Sequence, residues 1–148
     1  MRLDRATVCL PTADRAASHA FYTALGFVAT GELGDNGLPE PLQFEISSGL
    51  RVMLIPTDGF GWVIGDRELS SRGTHECLIV IGLGTRSEVD GMMRRARAAG
   101  AEIVQPAGDQ TWGEPAAGNA EVGAYAGAFA DPDGHLWHVS LADGVLIR

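Results

Sequence analysis

Asp14-Arg15-Ala16-Ala17-Ser18-His19-Ala20-Phe21-Tyr22-Thr23-Ala24-Leu25-Gly26-Phe27 is the stretch on which the fold turns. Ala17, Phe21 and Leu25 recur at every fourth position and line one face of a helix, and Gly26 supplies the residue that closes it in left-handed backbone. The spacing predicts a helix over 13–25. Farther along, Val89, Met92, Met93 and Ala96 repeat the i, i+3, i+4, i+7 pattern within 87–99, Thr85 and Glu88 have capping-box spacing, and Gly100 ends the run. The methionine pair reads as core packing. Short apolar runs surround both helices in the same order. Residues 5–11 precede the first helix, and 27–33, 41–47 and 51–55 follow it, parted by Asp35-Asn36-Gly37 and Ser48-Gly49. Residues 77–83 precede the second, and 101–105, 123–130 and 135–141 follow, with Asp131-Pro132-Asp133-Gly134 turning between the last two. The unit β-α-β-β-β thus occurs twice, which predicts an α+β fold of two tandem βαβββ modules. They are expected at about 1–57 and 75–148, joined by a linker loop over 58–74, in one domain over 1–148. Residues 57–74 and 106–122 resist the pattern and read as long loops, each with a tryptophan, Trp62 and Trp112.

Composition agrees with one domain. The chain has 148 residues, 45% hydrophobic and 20% charged, with mean hydropathy near zero at +0.05. No apolar run reaches the roughly 20 residues that span a bilayer, and the first residues lack the apolar core of a signal peptide, so a cytoplasmic protein without membrane partners is expected. Cys9 and Cys77 are the two cysteines, too few for a disulfide scaffold, and buried reduced thiols are expected. The 19 acidic residues outweigh 11 basic ones for a net charge of −8, and every basic residue is arginine. Without a lysine there is neither Schiff-base chemistry nor a Walker P-loop. An acidic surface repels phosphate backbones, which argues against nucleic acid and favours a neutral or cationic small molecule.

Three segments in order resemble the vicinal oxygen chelate superfamily, the group of glyoxalases, bleomycin-resistance proteins and extradiol dioxygenases. They are the opening stretch with its Phe21-Tyr22 and Leu25-Gly26-Phe27, then Glu88-Val89-Asp90 leading to Arg97-Ala98-Ala99-Gly100-Ala101, and Phe129-Ala130-Asp131-Pro132-Asp133-Gly134-His135-Leu136-Trp137. Together they span nearly the whole chain. The resemblance implies that the strands curl into a half-open curved mixed-sheet cup around a ligand cavity, and that the protein pairs as a homodimer. It does not fix the reaction, because one fold hosts many chemistries.

Metal-dependent members place His, Gln or Glu ligands on the first and last strands of each module. At the matching positions here stand Thr7, Met53 or a neighbour, an apolar residue of 77–81, and His138. One imidazole remains of four positions, whereas open catalytic zinc sites use three protein ligands, so no metal cofactor is expected. His135 and His138 have a spacing that converges on a helix, but on a strand they point to opposite faces. Asp131 and Asp133 read as turn formers rather than a calcium loop, and Gly82-Leu83-Gly84 lacks the third glycine of a dinucleotide fingerprint.

Strand parity then gives the lining that the resemblance implies. Leu136 and Ser140 side with His138, Thr7 with Cys9, Met53 with Arg51 and Ile55, and Tyr125 with Phe129, while Trp137 turns to the helices. The expected ligand-binding residues are Thr7, Cys9, Met53, Trp62, Trp112, Tyr125 and His138, the tryptophans as lids, with His138 as the candidate catalytic group. A structural histidine and an inert Cys9 thiol are the plainer readings of those two residues. His19 reads as solvent-facing or capping, and Arg94, Arg95 and Arg97 as a solvated face. The leading expectation is a metal-free protein that sequesters or senses a small organic ligand. The alternatives are a lyase, isomerase or dioxygenase holding one divalent metal ion, and a metal-independent catalyst that uses His138 to move a proton.

Overall fold

Asp14 and Gly26 bracket the first helix as their chemistry requires. In the computed structural model, which describes residues 4–65, 67–110 and 124–142, α1 (Arg15–Leu25) begins where the Asp14 carboxylate accepts the Ala17 N–H at 3.0 Å. It ends at Gly26, whose φ of +96° is left-handed. Thr85 caps α3 (Arg86–Ala98) in the same way, accepting the Glu88 N–H at 3.2 Å while its own hydroxyl donates to the Glu88 carboxylate at 2.9 Å.

The chain divides into two compact units, Met1–Thr74 and His75–Arg148. In the first, β1 (Ala6–Thr12), β2 (Val28–Ala29), β5 (Gln43–Ser47) and β6 (Leu50–Pro56) form a four-stranded sheet of order β1-β6-β5-β2, with α1 between β1 and β2 in the chain. A small hairpin of β3 (Glu32–Leu33) and β4 (Pro39–Glu40) is inserted before β5. In the second, β7 (Leu78–Leu83), β8 (Glu102–Gln110), β9 (Ala124–Ala130) and β10 (Leu136–Leu141) make a four-stranded sheet of order β7-β10-β9-β8, with α3 between β7 and β8 in the chain. Both sheets pair their first and last strands in parallel and the rest antiparallel, and both are open. The fold is α+β with the βαβββ order in each unit, as the doubled pattern predicts.

Each helix covers one face of its own sheet. Phe21, Tyr22 and Leu25 of α1 are buried with Leu10, Phe44, Val52 and Leu54, and the Tyr22 and Phe44 rings lie 5.2 Å apart. Thr12 and Ser18 share a buried hydrogen bond of 2.8 Å that ties the end of β1 to α1. In the second unit Val89, Met92, Met93 and Ala96 are buried with Ile79, Phe129, Trp137 and Val139, and Phe129 stacks on Trp137 with centroids 6.3 Å apart. Truncating a wholly buried ring such as Trp137 costs about 3–5 kcal/mol, so these rings are principal supports of the two cores.

The structure differs from the sequence expectation in its connections. The predicted strand 27–33 is two short strands. The loop expected over 57–74 contains α2 (Thr57–Val63), a helix that two glycines and a capless start hide from propensity reasoning. β8 runs through Pro106 to Gln110, which a proline can do because β8 is an edge strand whose register shifts there. Cys77, expected buried, is exposed just before β7, and Cys9 is half-buried.

Candidate functional site

Alternation along the strands leaves each sheet with one face that its own helix does not cover. In the second unit, Val80, His138 and Ala128 lie side by side in register across β7, β10 and β9, and Gly82, Ser140 and Ala126 form the next such row. Trp137 and Val139 alternate with them and belong to the α3 side, so His138 points to the helix-free face. His138 is only 3% exposed, and burial pushes its imidazole below the ordinary value of 6.5, toward the neutral form. Beside it on the edge strand, Val80 is 44% and Leu78 48% exposed, so an apolar rim adjoins the buried imidazole. Farther across, the Gln105 side-chain amide donates to Gln110 Oε1, and Gln110 Nε2 donates to the Ala126 backbone carbonyl at 3.1 Å.

In the first unit the face opposite α1 carries Thr7, Arg51 and Glu45 in one register row and Cys9, Met53 and Gln43 in the next, and α2 packs against β1 and β6 at the Ile55 end. Thr7, Cys9 and Met53, the expected ligand-binding residues on the strands of this unit, therefore share a face, with Met53 directly beside Cys9. Parity also reaches Arg51, and the register adds Gln43 and Glu45, which sequence reasoning had not singled out.

Tyr125 stands elsewhere. It alternates with Gly127 and Phe129, and Phe129 pairs with Trp137, so Tyr125 faces α3 and not the side of His138. Its hydroxyl donates to Asp90 at 2.6 Å, which raises its pKa above the ordinary 10.0, and the Arg86 guanidinium lies 4.6 Å over its ring. Arg86 in turn grips Asp109 with two hydrogen bonds of 2.6 and 3.1 Å. Pairing Tyr125 with Phe129 was right, but the shared side is the helix side. Trp62, on α2, is 83% exposed. Trp112 lies outside the described residues. His19, rather than facing solvent, is half-buried and stacks on Phe44 with centroids 6.2 Å apart. Arg94 and Arg97 are exposed as expected, and with Asp90, Met93, Ile103 and Pro106 they border a groove of about 270 Å³ on the α3 side of the second sheet.

A divalent ion finds few donors at the positions that the resemblance implies. On the faces opposite α3 and α1, the register partners of His138 are Val80 and Ala128, and those of Met53 are Cys9 and Gln43. An imidazole between two hydrocarbon side chains does not make a site for a cation that needs three or four N, O or S ligands. The residues at these positions do not fit the metal. Among the described residues, one group gathers three metal-ligating side chains: Asp131, Asp133 and His135, with ligand atoms within 4.8 Å of one another. It sits in the β9–β10 turn, where the Asp131 carboxylate accepts the N–H groups of Asp133 at 3.0 Å and His135 at 2.8 Å. Those bonds, with Gly134 at φ +94°, account for the turn.

Comparison with known proteins agrees with this architecture. The sequence matches the model of the Glyoxalase/Bleomycin resistance protein/Dioxygenase superfamily over residues 2–139, and the chain belongs to that superfamily. A hypothetical protein, SA1046, from S. aureus superposes with a TM-score of 0.73 at 25% identity, covering 96% of this chain and 95% of that one. A glyoxalase-related enzyme from Fulvimarina pelagi superposes at 0.71 with 24% identity, covering 95% and 94%, a likeness of fold. TioX from Micromonospora sp. ML1 superposes at 0.61 with 25% identity, covering 93% and 97%. No curated protein matches the chain.

Proposed function

We propose that the protein binds a small organic molecule without a metal, using His138 as a hydrogen-bonding pole within an apolar surface. The observation that carries this reading is the register row of Val80, His138 and Ala128, in which a buried imidazole adjoins a half-exposed hydrocarbon edge. A neutral imidazole offers one donor and one acceptor nitrogen, which suits a carbonyl or hydroxyl on a flat apolar ligand. Leu78 and Val80 supply apolar area that becomes favourable when a ligand covers it. Superfamily membership supports the reading in kind, since bleomycin-resistance proteins belong to the same group. Sequestration or sensing of the ligand follows if no reaction occurs.

A screen of neutral aromatic compounds by thermal shift tests it, followed by titration of a hit against His138→Gln and by elemental analysis of protein purified without chelator. The expected result is a hit that weakens about tenfold in the variant, near the worth of one hydrogen bond, with no stoichiometric transition metal. Affinity unchanged in His138→Gln would remove the imidazole from the reading. The competing reading, a metal-dependent catalyst, draws on the cluster of Asp131, Asp133 and His135. One bound ion per chain, lost in Asp133→Asn, would replace the proposal with that one.

A further inference from the structure

Arg15 and Arg51 are the half-buried arginines among the described residues, and their guanidinium groups are used differently. Arg15 pairs with Glu40 at 2.6 Å and donates to the Pro39 carbonyl at 2.9 Å. Arg51 has no ion pair among the described residues, and its Nε is cut off from solvent without a hydrogen-bond partner. It stands on β6, an interior strand of the first sheet, between Thr7 on β1 and Glu45 on β5. Its sequence neighbour Val52 is buried beside Phe44 on the α1 side, so Arg51 emerges from the face that α1 leaves open. Glu45 comes from the adjacent strand, is exposed, and makes no ion pair with it.

The chemistry around this cation is that of a small ligand's lining. One register step along the same face lie Cys9, Met53 and Gln43, and Ile55 follows on β6. A guanidinium is a planar fork of N–H donors that matches two oxygens of a carboxylate, and leaving a buried donor unmet is costly. In a chain of net charge −8, an arginine with no acidic partner runs against the surrounding composition.

We propose that Arg51 is the anchor of a binding site for a carboxylate-bearing small molecule on the face of the first sheet opposite α1. The carboxylate lies against the Arg51 guanidinium, Gln43 and Thr7 flank it as further hydrogen-bonding groups, and the apolar body of the ligand covers Met53 and Ile55. This site lies on the first unit alone and is independent of His138. It also changes the expected ligand charge, because a local cation on the open face outweighs the acidic average for a ligand seated against it.

Arginine Nε–Hε NMR of the full chain tests the proposal, with benzoate, benzamide and methyl phosphate as probes at constant ionic strength. Arg51→Lys identifies the Arg51 resonance by deleting it, and the exposed Arg94 serves as the internal control. A saturable shift of the Arg51 resonance with benzoate, absent with benzamide and absent at Arg94, is the expected result. Calorimetry should show benzoate affinity falling about tenfold in Arg51→Gln and several-fold in Arg51→Lys, which keeps the charge but not the fork. Glu45→Gln should tighten benzoate by about two- to threefold as the competing carboxylate is neutralised. Tighter binding of methyl phosphate than of benzoate would overturn the carboxylate assignment in favour of a phosphate ester. No saturable shift with either anion, equal response to benzamide, or unchanged affinity in an Arg51→Gln variant with wild-type melting temperature would overturn the site itself. Loss of neutral-ligand binding in His138→Gln with these results intact would leave this inference standing.

Discussion

The Tyr125 hydroxyl donates a 2.6 Å hydrogen bond to the Asp90 carboxylate and so fastens β9 to the exposed edge of α3. Asp90 also borders the groove beside α3, and Arg86, one turn earlier on the helix, lies over the Tyr125 ring while gripping Asp109 on β8. Three elements of the second unit are thereby pinned at one point by a phenol, two carboxylates and a guanidinium.

This bond sets a titration. The Asp90 carboxylate accepts a hydrogen bond from the protonated phenol and its charge opposes ionisation of Tyr125, which is thereby held above 10.0. The native state favours the protonated phenol, so its contribution to stability is present below pH 10 and is lost as pH rises above that value toward the native pKa. Ultraviolet tyrosinate titration should show Tyr125 ionising late. Asp90→Asn should bring that ionisation back toward the ordinary value, and an unshifted curve would contradict the assignment.

His138 carries the opposite sign. Burial lowers its imidazole pKa below 6.5, so the native state holds it neutral while the unfolded chain takes up a proton on acidification. Its stabilising contribution is present above pH 6.5 and is lost as pH falls through 6.5 toward the native value. Urea unfolding at pH 7.5 and pH 5.5 should give a lower midpoint at the acid pH, and His138→Gln should shrink that difference. The same dependence in both proteins would assign it to other groups.

Gly127 tests the packing under this site. A Cβ there would stand 3.0 Å from Met93 Sδ and Cε and 3.1 Å from the Ala107 backbone nitrogen. Met93 can swing, but a backbone atom on the adjoining strand cannot yield cheaply, so overpacking of about 1–3 kcal/mol is expected for Gly127→Ala. Equilibrium urea unfolding would show it as a lower midpoint. Met93→Ala in the same background should recover none of the loss, because the Ala107 nitrogen stays in place and the truncation opens a cavity of its own.

What was legible in the sequence was the part governed by period and by caps. Phe21 and Leu25 with Asp14 and Gly26 define α1, and Thr85, Glu88 and Gly100 do the same for α3, because both signals are local. The succession of elements along the chain was legible because each module repeats the same unit, whereas the order of strands within each sheet was not read. The connections were less so. α2 joins Gly59 and Gly61 to an exposed Trp62, a composition that propensity assigns to a loop. Pro106 reads as a strand breaker until β8 is known to be an edge. Of the candidate site, alternation along a strand puts Thr7 with Cys9, Met53 with Arg51, and Leu136 and Ser140 with His138, whereas the register of β1 with β6 is what brings Met53 beside Cys9. The side taken by Tyr125 does not follow from alternation, because it depends on how β9 registers with β10 through Phe129 and Trp137. The isolation of Arg51 was equally out of reach, since parity gives the direction of a side chain and says nothing of the partner it lacks.

The shared strand order of the two sheets puts packing and chemistry on opposite sides of the same backbone. On the closing strand of each unit, Val52 and Leu54 or Trp137 and Val139 hold the helix, while Arg51 and Met53 or His138 and Ser140 turn away from it. A substitution at a residue turned away from the helix can therefore change the chemistry of the open face while its sequence neighbour keeps the protein folded. The two halves illustrate the outcome: one scaffold, duplicated, offers a guanidinium on one copy and an uncharged imidazole on the other, each free to specialise without the other's consent.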